Sequence, residues 1–382
     1  MKEKGFNPDL LSKSNEERIA YFEAYTVAHP NLVKAYDKLL EAIRHAPKES
    51  IIMMWGPSGV GKSTLIKKLV NTINKENIEQ IKNQGQIPII RVELEPPSKG
   101  NYNWNDYYRK ALREAEEPML DKKISYSSAL KEGVSGELLW KPSTMGPNYK
   151  ESWEKAIYYR NIGIVVLDEA QNLTKISSGR KLEDQLDMIK SIANISQSSH
   201  VLVGSYQLTH LRYLNDQVAR RTIVVHFPRY RFQNQDDRET FRKILNQLIC
   251  QIPIEEKPSI AENWQYIYER TIGCIGTLKI LLEISFKVAL ERGMKTISLE
   301  LIEEFALSAR ACEKMARIAV QGEKDSVGGA EYEEALKTIL YEEMYEVSEV
   351  AKQNKTKEDS SIKRKKTDVG MPKAARSPVG VA

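Results

Sequence analysis

The stretch WGPSGVGKST, Trp55 to Thr64, sets Gly56, Pro57, Ser58, Gly59, Val60, Gly61, Lys62 and Ser63 in the spacing G-x-x-x-x-G-K-S. Glycines at these places let backbone N–H groups turn inward around phosphate oxygens. The lysine reaches the β- and γ-phosphates, and the Ser63 hydroxyl suits Mg²⁺. The flanks agree with that reading. Residues 51–55 are a short apolar run that reads as a buried strand, and residues 64–76 read as a helix. A helix starting there adds its partial positive charge to the loop. This strand–loop–helix context separates the match from a chance glycine turn.

Outward from the loop, further apolar runs read as strands at 87–94, 163–167, 201–204 and 222–227. Asn31 is placed to cap a helix in which Leu32, Val33, Tyr36, Leu39, Leu40 and Ile43 recur at helical spacing until Pro47. Strands alternating with helices imply an α/β fold, a five-stranded parallel sheet covered on both faces. After Pro228 the pattern turns helical, at roughly 236–251, 259–270, 276–292 and 298–318. The expected organisation is an N-terminal segment (1–30), a nucleotide-binding α/β domain (31–230), a helical lid (231–320) and an acidic, then basic, flexible tail (321–382). Residues 95–150, rich in Gly, Pro and polar side chains around a helical stretch at 104–116, read as an irregular insertion with short helices.

The run Ile164-Val-Val-Leu-Asp168-Glu169 ends an apolar strand in two carboxylates, about 100 residues after the loop. A buried strand delivers Asp168 to the sheet edge beside the phosphates, where it can orient Mg²⁺ and its water. Glu169 is then placed to polarise the attacking water. The chemistry is hydrolysis by positioning and electrostatics, with no covalent intermediate. Two further residues carry open alternatives. Ser205, ending the fourth strand, either hydrogen-bonds the attacking water or γ-phosphate or simply makes a strand-end turn. Arg220 or Arg221, before the fifth strand, either enters a neighbouring subunit's site as a finger or pairs with the protein's own surface.

The chain's 382 residues allow one large domain with an appendage, or two modest domains. The formal charge is +5, yet residues 351–382 hold nine Lys/Arg against three Asp/Glu, so the rest of the chain is nearly neutral. A basic DNA-facing surface must therefore arise from local arrangement. No apolar run approaches the ~20 residues needed to cross a bilayer, and the N-terminus lacks the apolar core of a signal peptide. Cys250, Cys274 and Cys312 have neither metal-ligand spacing nor a disulfide framework, so a reducing cytoplasm is the expected setting.

Several stretches together resemble an AAA+ ATPase, and within that class the bacterial TniB/TnsC transposition regulators, relatives of the ExeA-type ATPases. They are His29-Pro30, WGPSGVGKST, LDEAQNL (167–173), VLVGSYQL (201–208), ARRTIVVHFPRY (219–230) and GCIGTLK (273–279). The resemblance covers about residues 25–320. It implies ATP and Mg²⁺ as ligands, with Gly56 through Thr64 and Lys62 on the phosphates and Ser63 and Asp168 on the metal. It makes Ser205 a first sensor, Arg220 or Arg221 the finger, and Lys279 a second sensor reaching ATP from the lid. A solvated helix face remains the other reading of Lys279. His29 and Pro30 would border the adenine. The family implies a homo-oligomer, a helical filament or ring around duplex DNA, that links a TniQ-like target-selection protein to a transposase and is remodelled by hydrolysis.

DNA contact is expected from loops that track phosphates without reading bases: Lys99, Asn101 and Tyr102, then Lys122, Lys123, Ser125 and Lys131. The other reading of each is a solvated loop side chain. Lys363-Arg-Lys-Lys366 binds DNA, docks a partner or merely solubilises the chain, and docking to a transposase subunit is the reading favoured. The competing function is an ExeA-like protein-remodelling or secretion-associated ATPase. Such a protein is expected to carry a membrane segment, which is not seen in this sequence.

Overall fold

Strand β1 (Ile51–Trp55) sits in the interior of a five-stranded sheet and is buried at every residue. Its neighbours are β6 (Ser199–Gly204) and β7 (Thr222–His226). β5 (Ile164–Asp168) pairs with β6, and β2 (Ile89–Glu93) closes the other edge. The order is β2-β5-β6-β1-β7, and all pairings are parallel. The computed structural model describes residues 5–47, 50–97, 102–120, 130–132, 138–140, 148–175, 179–212, 222–327 and 333–341.

The continuous apolar runs have a direct cause: both faces of the sheet are covered, so both sets of alternating side chains are buried. Met53, Trp55, Val165, Leu167 and Leu202 face one core. Ile52, Met54, Val166, Val201 and Val203 face the other. The first face is roofed by α5 (Trp104–Glu114), α6 (Tyr149–Tyr159) and α7 (Gly179–Ser196), through Tyr108, Leu112, Trp153, Ile157, Leu186 and Ile189. The second is roofed by α2 (Pro30–His45) and α3 (Lys62–Glu76), whose Leu32, Tyr36, Leu39, Leu65, Leu69 and Ile73 recur at helical spacing. Each large side chain buried this way contributes about 1.5–3 kcal/mol. A short α4 (Ile78–Gln84) precedes β2, and a four-residue α8 (Thr209–Arg212) follows β6.

A third core lies under the lid helices α9 (Gln235–Cys250), α10 (Trp264–Thr271), α11 (Ile275–Glu291) and α12 (Leu299–Phe305). The N-terminal α1 (Asn15–Ala24), started by a Ser14–Glu17 capping box, joins this core. Phe22 is fully buried there, and Arg18 donates to the Pro253 carbonyl from Nε (2.8 Å) and Nη2 (2.6 Å). The N-terminal segment expected over 1–30 thus contributes α1 to the lid core.

One expected helix changes. The predicted helix 298–318 is two helices, because the chain extends at Ala306 and Ser308 caps α13 (Ala309–Val327) by accepting from Ala311 N–H at 3.3 Å. Within 95–150, α5 is part of the main α/β layer. Beyond it the structure describes an antiparallel pair, β3 (Leu130–Glu132) and β4 (Leu138–Trp140), and residues 121–129, 133–137 and 141–147 of the expected insertion lie outside the described residues. Residues 1–326 form one unit and 327–382 another; in the second, the described residues are Val327 and a helix at 333–341.

Candidate nucleotide-binding and hydrolysis site

Parallel strands deliver all their C-terminal ends to one edge, and that edge carries the chemistry. β1 runs into the glycine loop, β5 into Asp168-Glu169, β6 into Gly204-Ser205 and β7 into His226-Phe227. The loop has the backbone its glycines predict. Gly59 (φ 77°) and Gly61 (φ 110°) lie in the left-handed region, where a side chain would be strained. Gly61 also N-caps α3 with no side-chain hydrogen bond, which leaves that helix's first N–H groups facing the loop.

A cavity of about 390 Å³ opens over the loop. Ser58 through Thr64 and Glu169 form its floor. Thr26, Val27, His29 and Leu32 form one wall, and the lid supplies Leu248, Ile275, Gly276, Lys279 and Ile280. Lid and loop touch directly: Thr277 N–H donates to the Gly59 carbonyl at 2.9 Å. A Cβ on Gly276 would overlap that same carbonyl, so glycine is needed for the close approach.

Lys62 Nζ donates to the Gly56 and Pro57 carbonyls at 3.0 and 2.9 Å, so its ammonium is held at the mouth of the loop. Burial pushes its pKa down, and the charge of Glu169 partly offsets this. Asp168 is almost fully buried. Its Oδ1 accepts from Glu169 N–H at 2.9 Å, while its Oδ2 accepts from Arg91 Nη2 and Nε at 2.6 and 3.0 Å. Glu169 faces the cavity from a left-handed backbone (φ 54°). Its carboxylate accepts from Gln171 Nε2, and Gln171 Oε1 accepts from Ser205 N–H at 3.1 Å. Among the described residues no cluster of three or more His, Cys, Asp or Glu could cage a metal. One hydroxyl, Ser63, and one carboxylate, Asp168, nonetheless suit Mg²⁺, which keeps its waters and takes most oxygens from phosphates.

His29 caps α2. Its Nδ1 accepts from Leu32 N–H (3.3 Å) and faces the Tyr230 hydroxyl (3.0 Å), which puts the proton of the neutral ring on Nε2. Burial lowers its pKa to about 4. Pro30 occupies the first turn of α2, where its missing N–H costs nothing. Lys279 lines the cavity but is engaged: it pairs with Glu283 at 3.0 Å, donates to the Phe22 carbonyl and sits over the Phe22 ring. Ser205 borders a neighbouring cavity of about 330 Å³, shared with Pro57, Ser58 and residues of α13, and its Oγ accepts from Gln207 N–H at 3.4 Å.

Arg220 and Arg221 lie outside the described residues, as do Lys99, Asn101, Lys122, Lys123 and Ser125. Lys131 stands opposite Leu139 in the β3–β4 pair. Tyr102 packs edge-on against Trp104 and is half-buried beside Glu93, Glu95, Asp106 and Lys110.

Sequence reading missed Arg91, Gln171 and Tyr230. A charged residue inside the apolar strand IIRVE was the available signal for Arg91. Gln171 and Tyr230 lie within LDEAQNL and ARRTIVVHFPRY, but their contacts with Ser205 and His29, 34 and 201 positions away, are set only by the fold.

Residues 45–212 match the family model described as an AAA domain. Together with the phosphate loop and the carboxylate pair, this supports ATP hydrolysis as the activity. No curated protein matches the chain. Among solved structures, the Aeropyrum pernix ORC2 protein (ADPNP-ADP complexes) is 15% identical, covering 81% of this chain and 73% of that one at a TM-score of 0.46. Cdc6p from Pyrobaculum aerophilum is 14% identical, covering 76% and 70%, with a TM-score of 0.48. Domain III of the Thermotoga maritima replication initiation protein DnaA is 13% identical, covering 83% and 99%, with a TM-score of 0.39.

Proposed function

We propose that this chain is an ATP-dependent regulator of DNA transposition of the TniB/TnsC kind. It assembles on duplex DNA with ATP bound and connects a TniQ-like target-selection protein to a transposase, with hydrolysis governing assembly and release. The observation that carries this reading is the meeting of the resembling stretches around one cavity. His29, the glycine loop, Glu169 of LDEAQNL and Lys279 of GCIGTLK line it, and Tyr230 of FPRY holds His29.

In this reading Lys62 neutralises the β- and γ-phosphates, and Ser63 and Asp168 hold Mg²⁺. The ion, when bound, neutralises charge on the phosphate oxygens. Glu169 orients the attacking water. Arg220 or Arg221 acts from a neighbouring copy, so that hydrolysis depends on assembly. ATP binding and assembly are then linked, each strengthening the other by the same factor. DNA is held through phosphates by loops of the α/β domain, and the basic tail docks a transposase subunit. No helix among the described residues is long and apolar enough to cross a membrane.

The test is electron microscopy of the full chain with duplex DNA, with and without Mg²⁺ and a non-hydrolysable ATP analogue. Filaments or rings on DNA that require the analogue, and that Lys62→Ala fails to form, are the expected result. Particles that stay single at saturating analogue and ignore DNA would overturn the reading.

A further inference from the structure

We propose that Gln171 is a positioning residue for hydrolysis, one whose side-chain amide fixes Glu169 to the loop that follows β6. The inference rests on the reading of Glu169 as the residue that orients the attacking water.

Three observations meet on this side chain. The Gln171 Nε2 donates to Glu169 Oε2, which occupies one carboxylate oxygen and leaves Oε1 to accept from water. Its Oε1 accepts from the Ser205 backbone N–H at 3.1 Å, so the amide spans two chain segments. Gly204, immediately before, leaves the room this needs: a Cβ there would overlap Gln171 Oε1 and crowd the Gln171 backbone nitrogen.

The backbone beneath is equally constrained. Glu169 sits at φ 54°, a conformation unfavourable for a side-chain-bearing residue. Asp168 Oδ1 accepts its N–H, and its carbonyl accepts from Asn172 N–H at 2.9 Å. Asn172 is itself anchored, its Nδ2 donating to the Leu94 carbonyl at 2.8 Å. Backbone and carboxylate of Glu169 are thus held by separate partners, and the hold on the carboxylate comes from Gln171. Orientation of that kind is what a water-positioning group requires.

The experiment measures steady-state ATP hydrolysis by the full chain, with duplex DNA, for wild type, Gln171→Met, Gln171→Glu and Glu169→Gln. Methionine fills similar space but cannot donate. Its kcat is expected to fall about 10-fold or more while KM for ATP stays within about twofold. The Gln171→Glu variant opposes two carboxylates, and its kcat is expected to fall at least as far as that of Gln171→Met.

A wild-type kcat in Gln171→Met or in Gln171→Glu, or a loss confined to KM, would each overturn the proposal. If Gln171→Met is at wild-type rate while Glu169→Gln is inactive, only the positioning role falls. If Glu169→Gln itself turns over normally, the reading of Glu169 falls and the proposal with it.

Discussion

Arg91, in the middle of β2, grips one carboxylate oxygen of Asp168, at the end of β5, through two donors 2.6 and 3.0 Å away. Asp168 is buried, with 3% of its side chain exposed, whereas Arg91 retains 28%. Removing the cation strands a buried charge. Losing one partner of a fully buried pair costs about 3–5 kcal/mol, and the exposure of Arg91 brings the expected loss for Arg91→Met to about 1–3 kcal/mol. A urea titration at neutral pH reads this from the midpoint. Mg²⁺ with nucleotide should stabilise this variant more than wild type, because cationic charge returns near Asp168. Equal shifts in both proteins would separate Asp168 from the metal.

The contact between Thr277 N–H and the Gly59 carbonyl makes the lid a direct reporter of the phosphate loop. Gly276→Ala pushes a methyl group against that carbonyl. The expected outcome is nucleotide affinity weakened about 10-fold, roughly 1.4 kcal/mol, with a folded lid. Titration with a fluorescent ATP analogue measures the affinity, and circular dichroism checks the fold. Unchanged affinity would mean that the lid moves freely over the loop.

Glu323 of α13 is buried against two arginines. Arg229 Nε is 2.8 Å from its Oε1, and Arg231 Nε is 3.3 Å from its Oε2. Arg229 also donates to the Ile272 carbonyl at 3.2 Å. Glu323→Ala leaves the guanidinium of Arg229 buried beside a void and should lower stability by about 3 kcal/mol. Glu323→Leu combined with Arg229→Met, which removes both charges, should recover much of it. Chemical denaturation of the two variants tests this.

Acid should loosen the protein before its carboxylates titrate. His29 and His200 are buried and His226 is partly buried, and burial lowers the pKa of each to about 4. Between that value and the ordinary 6.5 the unfolded chain binds protons that the folded chain refuses, so stability falls as pH drops through this window and is flat above it. Each histidine contributes roughly 1–2 kcal/mol of loss by about pH 5. Denaturation midpoints at about pH 7.5 and about pH 5 measure the total. His200→Gln should flatten the slope, and an unchanged slope would remove His200 from the account.

The short-range parts of the site were legible from residue order. The glycine loop, the strand ending in Asp168-Glu169 and the five apolar strands announce themselves within windows of about ten residues, because steric and periodic rules act locally. The helix break at Ala306 was less legible, since Ser308 reads as a cap only once the chain is seen to extend before it. The position of α1 was not legible at all: Phe22 and Arg18 look like residues of a polar surface helix until the lid core is assembled over them.

Residue order by itself determined the fold class, the phosphate loop and the carboxylate pair, because each is written in contiguous residues whose spacing the backbone geometry dictates. Only the tertiary structure decided what each charge meets. It set Arg91 on Asp168, Gln171 between Glu169 and Ser205, and Lys279 against Glu283 and Phe22. Most of those pairings join segments dozens to hundreds of positions apart. They exist because parallel strands and a docked lid bring distant chain ends to one edge of the sheet.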